Sequence, residues 1–133
     1  ANSVGAKRAV QLEVSGAFHS VLMERAVAGL SDAIIYTPLR GSKIPLIANV
    51  TAEPVNEIAQ IRKLLISQLT SPVRWAESMS NLVSLGVGTF IEVGPGKVLK
   101  GLMRRIDPNV TVLNADSAES IDKIIESSED STE

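Results

Sequence analysis

The sequence predicts an α/β fold in which helices pack on a parallel β-sheet. Short apolar segments with the spacing of strands alternate with longer segments whose apolar residues recur every three or four positions. Strands that alternate with helices usually lie parallel, so we expect one parallel sheet covered by helices. The 133 residues are 44% hydrophobic and 21% charged, which is typical of a folded globular domain and not of a disordered chain.

The first predicted strand ends just before the single histidine of the chain. Apolar and polar residues alternate over residues 10–14, as in a strand with one face in water. Apolar residues then recur with helical spacing from Leu22 to Ile34 and predict a helix that ends before Pro38. We therefore expect His19 to lie at a strand-to-helix turn, where α/β proteins expose side chains at the edge of the sheet.

The middle of the chain predicts one more strand and two helices. The short apolar run at residues 46–50 is typical of a buried parallel strand. We expect Pro54 to open the next helix, since proline is favoured at the first helical position. By the same rule, Ser71 followed by Pro72 predicts the N-cap of another helix, and Gly86 predicts the end of that helix.

The last third of the chain repeats the strand-helix-strand pattern. Residues 89–93 predict a strand, residues 94–96 (Gly-Pro-Gly) a tight turn, residues 98–106 an amphipathic helix and residues 110–113 a short strand. The glycines would permit the tight connection from strand to helix. A phosphate-binding loop is disfavoured there, because the spacing from the first glycine to Gly-Lys is too short.

The C-terminal part of the chain is acidic. Seven of the fifteen acidic residues lie at positions 115–133, where Lys123 is the only basic residue. Asp116 with Glu119 predicts the N-terminal cap of a last helix. We expect residues 127–133 to form a disordered acidic tail.

Several function classes are disfavoured by composition. The chain has no cysteine, so it has neither a disulfide nor a thiolate nucleophile, and a single histidine does not favour a metal site. No apolar run reaches the roughly 18 residues of a membrane-spanning helix, and no secretory signal is visible at the start. We expect no metal, no nucleic acid and no membrane as partners.

Few side chains in this sequence are candidates for chemistry. His19 is the simplest proton carrier near neutral pH, although a lone histidine is also often a structural residue in a core or at a helix end. Asp32, Glu53 and Glu92 are too scattered to form a carboxylate pair, and no Gly-x-Ser-x-Gly nucleophile motif occurs. Four basic residues predict either a solvated helix face or a binding surface: Lys97, Lys100, Arg104 and Arg105.

Four segments together resemble malonyl-CoA:acyl-carrier-protein transacylases. The resemblance covers about residues 6–116 and corresponds to the final two-fifths or so of that family's length. The segments are Val-Ser-Gly-Ala-Phe-His-Ser at 14–20, Ala-Asn-Val-Thr at 48–51, Gln-Leu-Thr-Ser-Pro-Val-Arg-Trp at 68–75, and Phe-Ile-Glu-Val-Gly-Pro-Gly-Lys-Val-Leu at 90–99.

The resemblance implies a hydrolase-like acyltransferase domain. Residues 1–14 would be the end of a small ferredoxin-like subdomain, whose last strand leads into the large α/β subdomain at residues 15–126. The implied reaction is a two-step transfer in which a serine takes malonyl from malonyl-CoA and passes it to the pantetheine thiol of acyl carrier protein. That serine matches nothing in this sequence, so the isolated chain is expected to be inactive and to need the N-terminal part of the same enzyme.

The resemblance also assigns roles to individual residues. His19 matches the general base, and backbone carbonyls of Gln68 and Asn49 would orient its ring, Asn49 from the end of a strand that borders the site. Phe18 would favour malonyl over methylmalonyl by its bulk, and could also pack as a buried aromatic beneath the following helix. Lys97, Lys100, Arg104 and Arg105 would attract the acidic carrier protein. No cofactor is implied.

Two alternatives stay open on the sequence. One is the matching part of a malonyl-specific acyltransferase domain from a polyketide synthase. The other is a non-catalytic α/β interaction module, which would be expected to carry acidic residues at its strand ends. Under the leading interpretation the enzyme would act in fatty-acid synthesis, in the bacterial cytoplasm or in a plastid or other organelle.

Overall fold

A computed structural model of the chain describes residues 2–5 and 16–129. The predicted strand at residues 10–14, and with it most of the expected small subdomain, lies outside the described residues. A single 3₁₀ turn spans Asn2–Val4, and a second 3₁₀ helix, Val21–Ala26, leads directly into the first α-helix. The remaining elements are α1 (Val27–Tyr36), β1 (Leu46–Ile47), β2 (Pro54–Val55), α2 (Ile58–Gln68), α3 (Trp75–Ser84), β3 (Thr89–Val93), α4 (Val98–Ile106), β4 (Thr111–Ala115) and α5 (Ala118–Glu129).

The parallel sheet lies in the C-terminal half. β3 and β4 pair in parallel over five residues, with Thr89 opposite Thr111 and Val93 opposite Ala115. Helix α4 crosses between them and packs on α3 and β4, while α5 packs on β4. The prediction of an α/β fold with helices on a parallel sheet is confirmed, although β4 begins one residue and ends two residues later than predicted.

The predicted strand at residues 46–50 is only partly correct. Its first two residues form β1, which pairs antiparallel with β2 instead of joining a parallel sheet. The reason is a tight turn in which Ala52 N donates to the Ala48 carbonyl at 2.8 Å, while Ala48 N donates to the Glu53 carbonyl at 3.0 Å. Ala52 adopts φ of 61° there, a left-handed conformation that alanine rarely adopts and that its presence in the sequence therefore does not predict.

The predicted starts of two helices were wrong. Pro54 lies in β2, and α2 begins four residues later at Ile58. Ser71 and Pro72 precede α3, which begins at Trp75 with Arg74 in the N-cap position. The end of α3 is as predicted, because Gly86 has φ of 91° and its N–H donates to the Val83 carbonyl at 2.9 Å.

The sequence predicted the turn after β3 correctly and the N-terminal cap of α5 incorrectly. Gly94 and Gly96 have φ of 120° and 96°, so the predicted turn after β3 needs glycine at both places. The cap of α5 is not Asp116 with Glu119 but a reciprocal pair, in which Ser120 N donates to Ser117 Oγ at 3.2 Å and Ser117 N donates to Ser120 Oγ at 3.0 Å. Helix α5 runs to Glu129, three residues into the predicted tail.

The core of the described part is small. Its buried apolar residues are Ala48, Ala52, Val55 and Met103. The outward face of the parallel pair is open, with Ile91 50% and Val93 81% exposed. A parallel sheet is normally covered on both faces, so this face is unfinished within the described residues. None of the described helices is both long and apolar enough to cross a membrane.

Candidate active site

His19 lies in a strained turn at the start of the 3₁₀ helix. Its φ is 60°, in the left-handed region that residues other than glycine enter at a cost of about 1–2 kcal/mol. Ser20 closes the turn, because its hydroxyl donates to the Ala17 carbonyl at 2.7 Å and accepts the Leu22 N–H at 3.4 Å. The serine therefore acts as the N-cap of the 3₁₀ helix. Its bonds to Ala17 and Leu22 restrain the backbone on both sides of the turn that contains His19.

The His19 ring contacts the C-terminal end of α2. Its Nδ1 lies 2.9 Å from the backbone carbonyl oxygen of Gln68, while the Gln68 side-chain Nε2 lies 3.3 Å from the same ring nitrogen. These two contacts require opposite protonation of Nδ1, so only one can be a hydrogen bond. The carbonyl contact is the shorter, and Gln68 Nε2 has a better acceptor in the Ser71 carbonyl at 2.9 Å. We therefore assign the proton to Nδ1.

This tautomer determines what the ring can do. With Nδ1–H donating to a carbonyl, Nε2 carries the lone pair and is the position that can accept a proton. His19 is exposed, so a hydroxyl or thiol group can approach this nitrogen. The ring is thus oriented by a neutral backbone group, and no carboxylate is needed to fix its tautomer.

Asn49 lies near Gln68 but makes a different backbone contact. Its carbonyl oxygen accepts the Arg74 N–H at 2.9 Å, and none of the described hydrogen bonds joins Asn49 to His19. Asn49 and Gln68 both line a cavity of about 140 Å³ between the β1–β2 pair and α2. Among the described hydrogen bonds, the structure therefore joins His19 to Gln68 and not to Asn49.

Arg74 was not predicted as a site residue, although it fastens the loop that contains Asn49. Besides the backbone bond to Asn49, its Nη1 donates to the Thr51 carbonyl at 2.9 Å, and its Nε pairs with Glu77. Asn81 adds a second tie from α3, donating to the Ala52 carbonyl at 2.9 Å. The sequence around Arg74 gives no signal for such a role, since the backbone carbonyl that its side chain binds, that of Thr51, lies 23 residues earlier in the chain.

Phe18 is more exposed than a packing role would require. Its side chain is 62% exposed, so the expectation of a buried aromatic beneath the helix is wrong within the described residues. The ring folds back over Gly16, where an added Cβ would lie 2.9 Å from a ring carbon. Phe18 is therefore an exposed apolar residue that directly precedes His19 in the chain.

The four basic residues all belong to α4 or its N-cap. Lys97 occupies the N-cap position, and Arg104 and Arg105 lie in the last turn, where cations favour the helix dipole. Lys97, Arg104 and Arg105 are exposed and Lys100 is half-buried. The ion pairs of the described residues involve Arg74 with Glu77 and Lys123 with Glu119, and so leave these four cations without a carboxylate partner there.

Glu92 supports the start of α4. Its carboxylate accepts the backbone N–H groups of Leu99 at 2.9 Å and Lys100 at 3.0 Å, and the side-chain amide of Asn114 at 3.2 Å. Desolvation alone would raise the pKa of Glu92, but the hydrogen bonds from Lys100, Leu99, Asn114 and Val98 outweigh it and lower the pKa below its ordinary value. Glu92 is therefore a helix-capping carboxylate, a role that its position in a strand does not reveal.

No metal site is evident in residues 2–5 and 16–129. These residues contain no group of three or more histidine, cysteine, aspartate or glutamate side chains that could hold an ion. The group for proton transfer that the described site does contain is the imidazole of His19, held at Nδ1 by the Gln68 carbonyl.

Comparison with known proteins gives a consistent result, although no family model matches the chain. The chain is 43% identical over 122 residues to the malonyl CoA-acyl carrier protein transacylase of Bacillus subtilis (strain 168), a match that covers 92% of this chain and 38% of that protein. It is 38% identical over 112 residues to the protein of the same name from Synechocystis sp., covering 84% of this chain and 38% of the relative. It therefore spans about two-fifths of the length of the curated relatives it matches.

Solved structures agree with these relatives. The acyl-carrier-protein S-malonyltransferase from Bartonella henselae is similar with a TM-score of 0.87 and 40% identity, over 94% of this chain and 40% of that one. A chain from the solved complex of a type II polyketide synthase acyl carrier protein with its malonyl transacylase is also similar. Its TM-score is 0.82 at 35% identity, over 90% of this chain and 39% of the matched chain.

Proposed function

We propose that this chain is the C-terminal part of a malonyl CoA-acyl carrier protein transacylase, because it matches about two-fifths of the length of such enzymes. The whole enzyme would transfer malonyl from malonyl-CoA to the pantetheine thiol of acyl carrier protein, for fatty-acid synthesis. A serine outside this chain would form the malonyl ester between the two steps.

His19 is the general base in this proposal. Its Nε2 takes the proton of the serine hydroxyl as the serine attacks the thioester, and gives that proton to the departing CoA thiolate. In the second step Nε2 takes the proton of the carrier-protein thiol, which attacks the serine ester, and returns it to the serine oxygen. The observation that carries the proposal is the contact of Nδ1 with the Gln68 carbonyl, which leaves Nε2 as the acceptor in both steps.

The neutral carbonyl suits a base that becomes cationic for a short time. When Nε2 is protonated, the ring is positive and its Nδ1–H bond to the carbonyl oxygen strengthens. Asn49 would belong to the same wall of the site through the loop that Arg74 holds. We propose it as a lining residue, with the ring-orienting role resting on Gln68.

Phe18 would contribute to the choice of substrate. Phe18 is exposed and directly precedes His19 in the chain, and in this proposal the acyl group of the substrate would lie against its ring. A branched α-carbon needs more room there than malonyl does, so the ring would disfavour methylmalonyl. The expected discrimination is about 1–3 kcal/mol, the usual worth of a small apolar group in a pocket.

The rest of the enzyme would complete the fold and the site. The open face of the β3–β4 pair, with Ile91 and Val93 exposed, supports a chain that packs against further protein. We expect the isolated chain to be inactive, since it has a base but no nucleophile motif. Four basic residues would attract the acidic carrier protein: Lys97, Lys100, Arg104 and Arg105. The location would be the bacterial cytoplasm or the stroma of a plastid or other organelle.

A second candidate pathway is polyketide synthesis. The similarity to a malonyl transacylase solved with its type II polyketide carrier protein favours it. The chemistry at His19 would be the same, and only the carrier protein would differ. Turnover with fatty-acid and polyketide carrier proteins, compared side by side, separates the two pathways.

The proposal is tested in the full-length enzyme with His19→Ala. Loss of a general base typically lowers turnover by about 10²–10⁴-fold, and we expect a loss of that size in malonyl transfer. Circular dichroism checks that the variant is folded. Glu24→Ala, at an exposed position of the 3₁₀ helix after His19, is the matched control and should leave transfer unchanged. Near-normal transfer by the His19 variant would remove His19 from the mechanism.

A further inference from the structure

Arg62 lies on α2 and reaches across to the C-terminal end of α1. Its Nη1 donates to the Ile34 carbonyl and lies 3.4 Å from the Ile35 carbonyl oxygen, and its Nη2 donates to the Thr37 carbonyl at 2.7 Å. The last carbonyls of a helix have no partner within the helix, so they need an outside donor. A cation at this end also interacts favourably with the helix dipole.

Helix α2 thus holds two ends of one segment. Arg62 fixes the end of α1, and the Gln68 carbonyl fixes His19 before the 3₁₀ helix that precedes α1. The two holding residues are six positions apart, which is about 9 Å along an α-helix at 1.5 Å per residue. The helix between the two held ends, α1, packs on α2.

His19 depends on these contacts more than a buried residue would. Its side chain is exposed, so packing does not hold the ring. Its backbone has φ of 60°, which is unfavourable for histidine and persists only when the surroundings impose it. A shift of α1 along α2 would move the turn and lengthen the contact between Nδ1 and the Gln68 carbonyl.

We propose that Arg62 is a positioning residue for His19. By tying the end of α1 to α2, it keeps Nδ1 of His19 within hydrogen-bond distance of the Gln68 carbonyl, and so keeps Nε2 directed at the reacting groups. Arg62 does not touch the substrate and acts only through the histidine. The inference rests on the function proposed above, in which His19 is the general base.

The test compares three variants of the full-length enzyme. Arg62→Met should lower kcat for malonyl transfer by about 10–100-fold with little change in KM for malonyl-CoA, since a misplacement of 1 Å can cost about 10²-fold. Arg62→Lys keeps one donor group and the charge, and should recover part of this loss. Lys63→Met removes an exposed cation at the next position of α2, and should leave both constants unchanged.

A second measurement separates positioning from stability. In the His19→Ala background, Arg62→Met should not lower the residual turnover further, because the residue it acts through is gone. An equal loss in both backgrounds would mean that Arg62 only stabilises the fold, and would overturn the proposal. If Arg62→Met does not fold, Arg62→Lys takes its place in the same comparison.

The outcomes also distinguish this inference from the proposed function. Impaired transfer by His19→Ala together with kcat within twofold of normal for Arg62→Met overturns only the role of Arg62. Normal transfer by His19→Ala overturns the proposed base itself, whatever Arg62→Met does.

Discussion

The side chain and the backbone of Gln68 make separate contacts, and replacing Gln68 with alanine removes only the first. The backbone carbonyl, which holds His19 Nδ1 at 2.9 Å, stays in place in the variant. The lost contact is the hydrogen bond from Nε2 to the Ser71 carbonyl at 2.9 Å. A neutral hydrogen bond of this kind contributes about 0.5–1.5 kcal/mol net. If all of that free energy served to position His19, turnover would fall by about tenfold at most.

The assay is malonyl transfer by the full-length enzyme, with Gln68→Ala measured beside His19→Ala. The expected loss for Gln68→Ala is tenfold or less, against about 10²–10⁴-fold for loss of the base. Gln60→Ala is the matched control, because Gln60 is an exposed glutamine on the same helix. A Gln68→Ala loss as large as that of His19→Ala would refute the reasoning, since it would place the essential contact on the side chain.

Substitutions of Phe18, of the basic residues of α4 and of Glu92 each have a measurable expected effect. Phe18→Ser should raise methylmalonyl transfer relative to malonyl by up to about 10–200-fold, measured by competition between the two CoA esters, and an unchanged ratio would place selectivity elsewhere. Lys100→Glu combined with Arg104→Glu should raise KM for carrier protein and flatten the dependence of KM on ionic strength. The control Lys43→Glu, on an exposed loop, should change neither quantity. If the double variant has normal carrier-protein kinetics at low salt, this face of α4 is only a solvated surface. Glu92→Gln should lower the free energy of unfolding at pH 7. Because the pKa of Glu92 lies below its ordinary value of 4.5 in the folded protein, its contribution is present above that value and is lost as pH falls through the folded-state pKa, so denaturant midpoints of the two proteins should converge in acid. A difference that persists at pH 2–3 would contradict this account.

Local chemistry explains which parts of the fold could be predicted from sequence. The strand at residues 89–93, the glycines that follow it and the end of α3 at Gly86 are determined by residues close together in the chain. The β1–β2 pair was missed because its turn depends on Ala52, a residue with no preference for a left-handed backbone. Helix α3 starts late because Asn49, 25 positions earlier in the chain, accepts the N–H of Arg74.

The candidate site shows the same division. His19 could be singled out from the sequence because it is the only histidine, but its contact with Gln68 was expected only from the resemblance to a family. The contact joins residues 49 positions apart through a backbone carbonyl, which every residue type has. The roles of Arg62 and Arg74 could not be predicted for a related reason. In a sequence, an arginine that binds backbone carbonyls cannot be distinguished from a cation on a solvated surface.

The strand β3 has a further consequence for anyone who produces this chain by itself. Within the described residues it pairs with β4 alone, so its other side presents unpaired N–H and C=O groups. Such a side is a template for the strand of another molecule, and native proteins usually guard it with an outward charge. The one charged residue of β3, Glu92, is engaged with the start of α4, while the exposed Ile91 and Val93 are apolar and β-branched. If this strand stays uncovered in the chain made alone, we expect the chain to associate edge to edge and to precipitate, and co-expression with the remainder of the proposed enzyme should cover the strand.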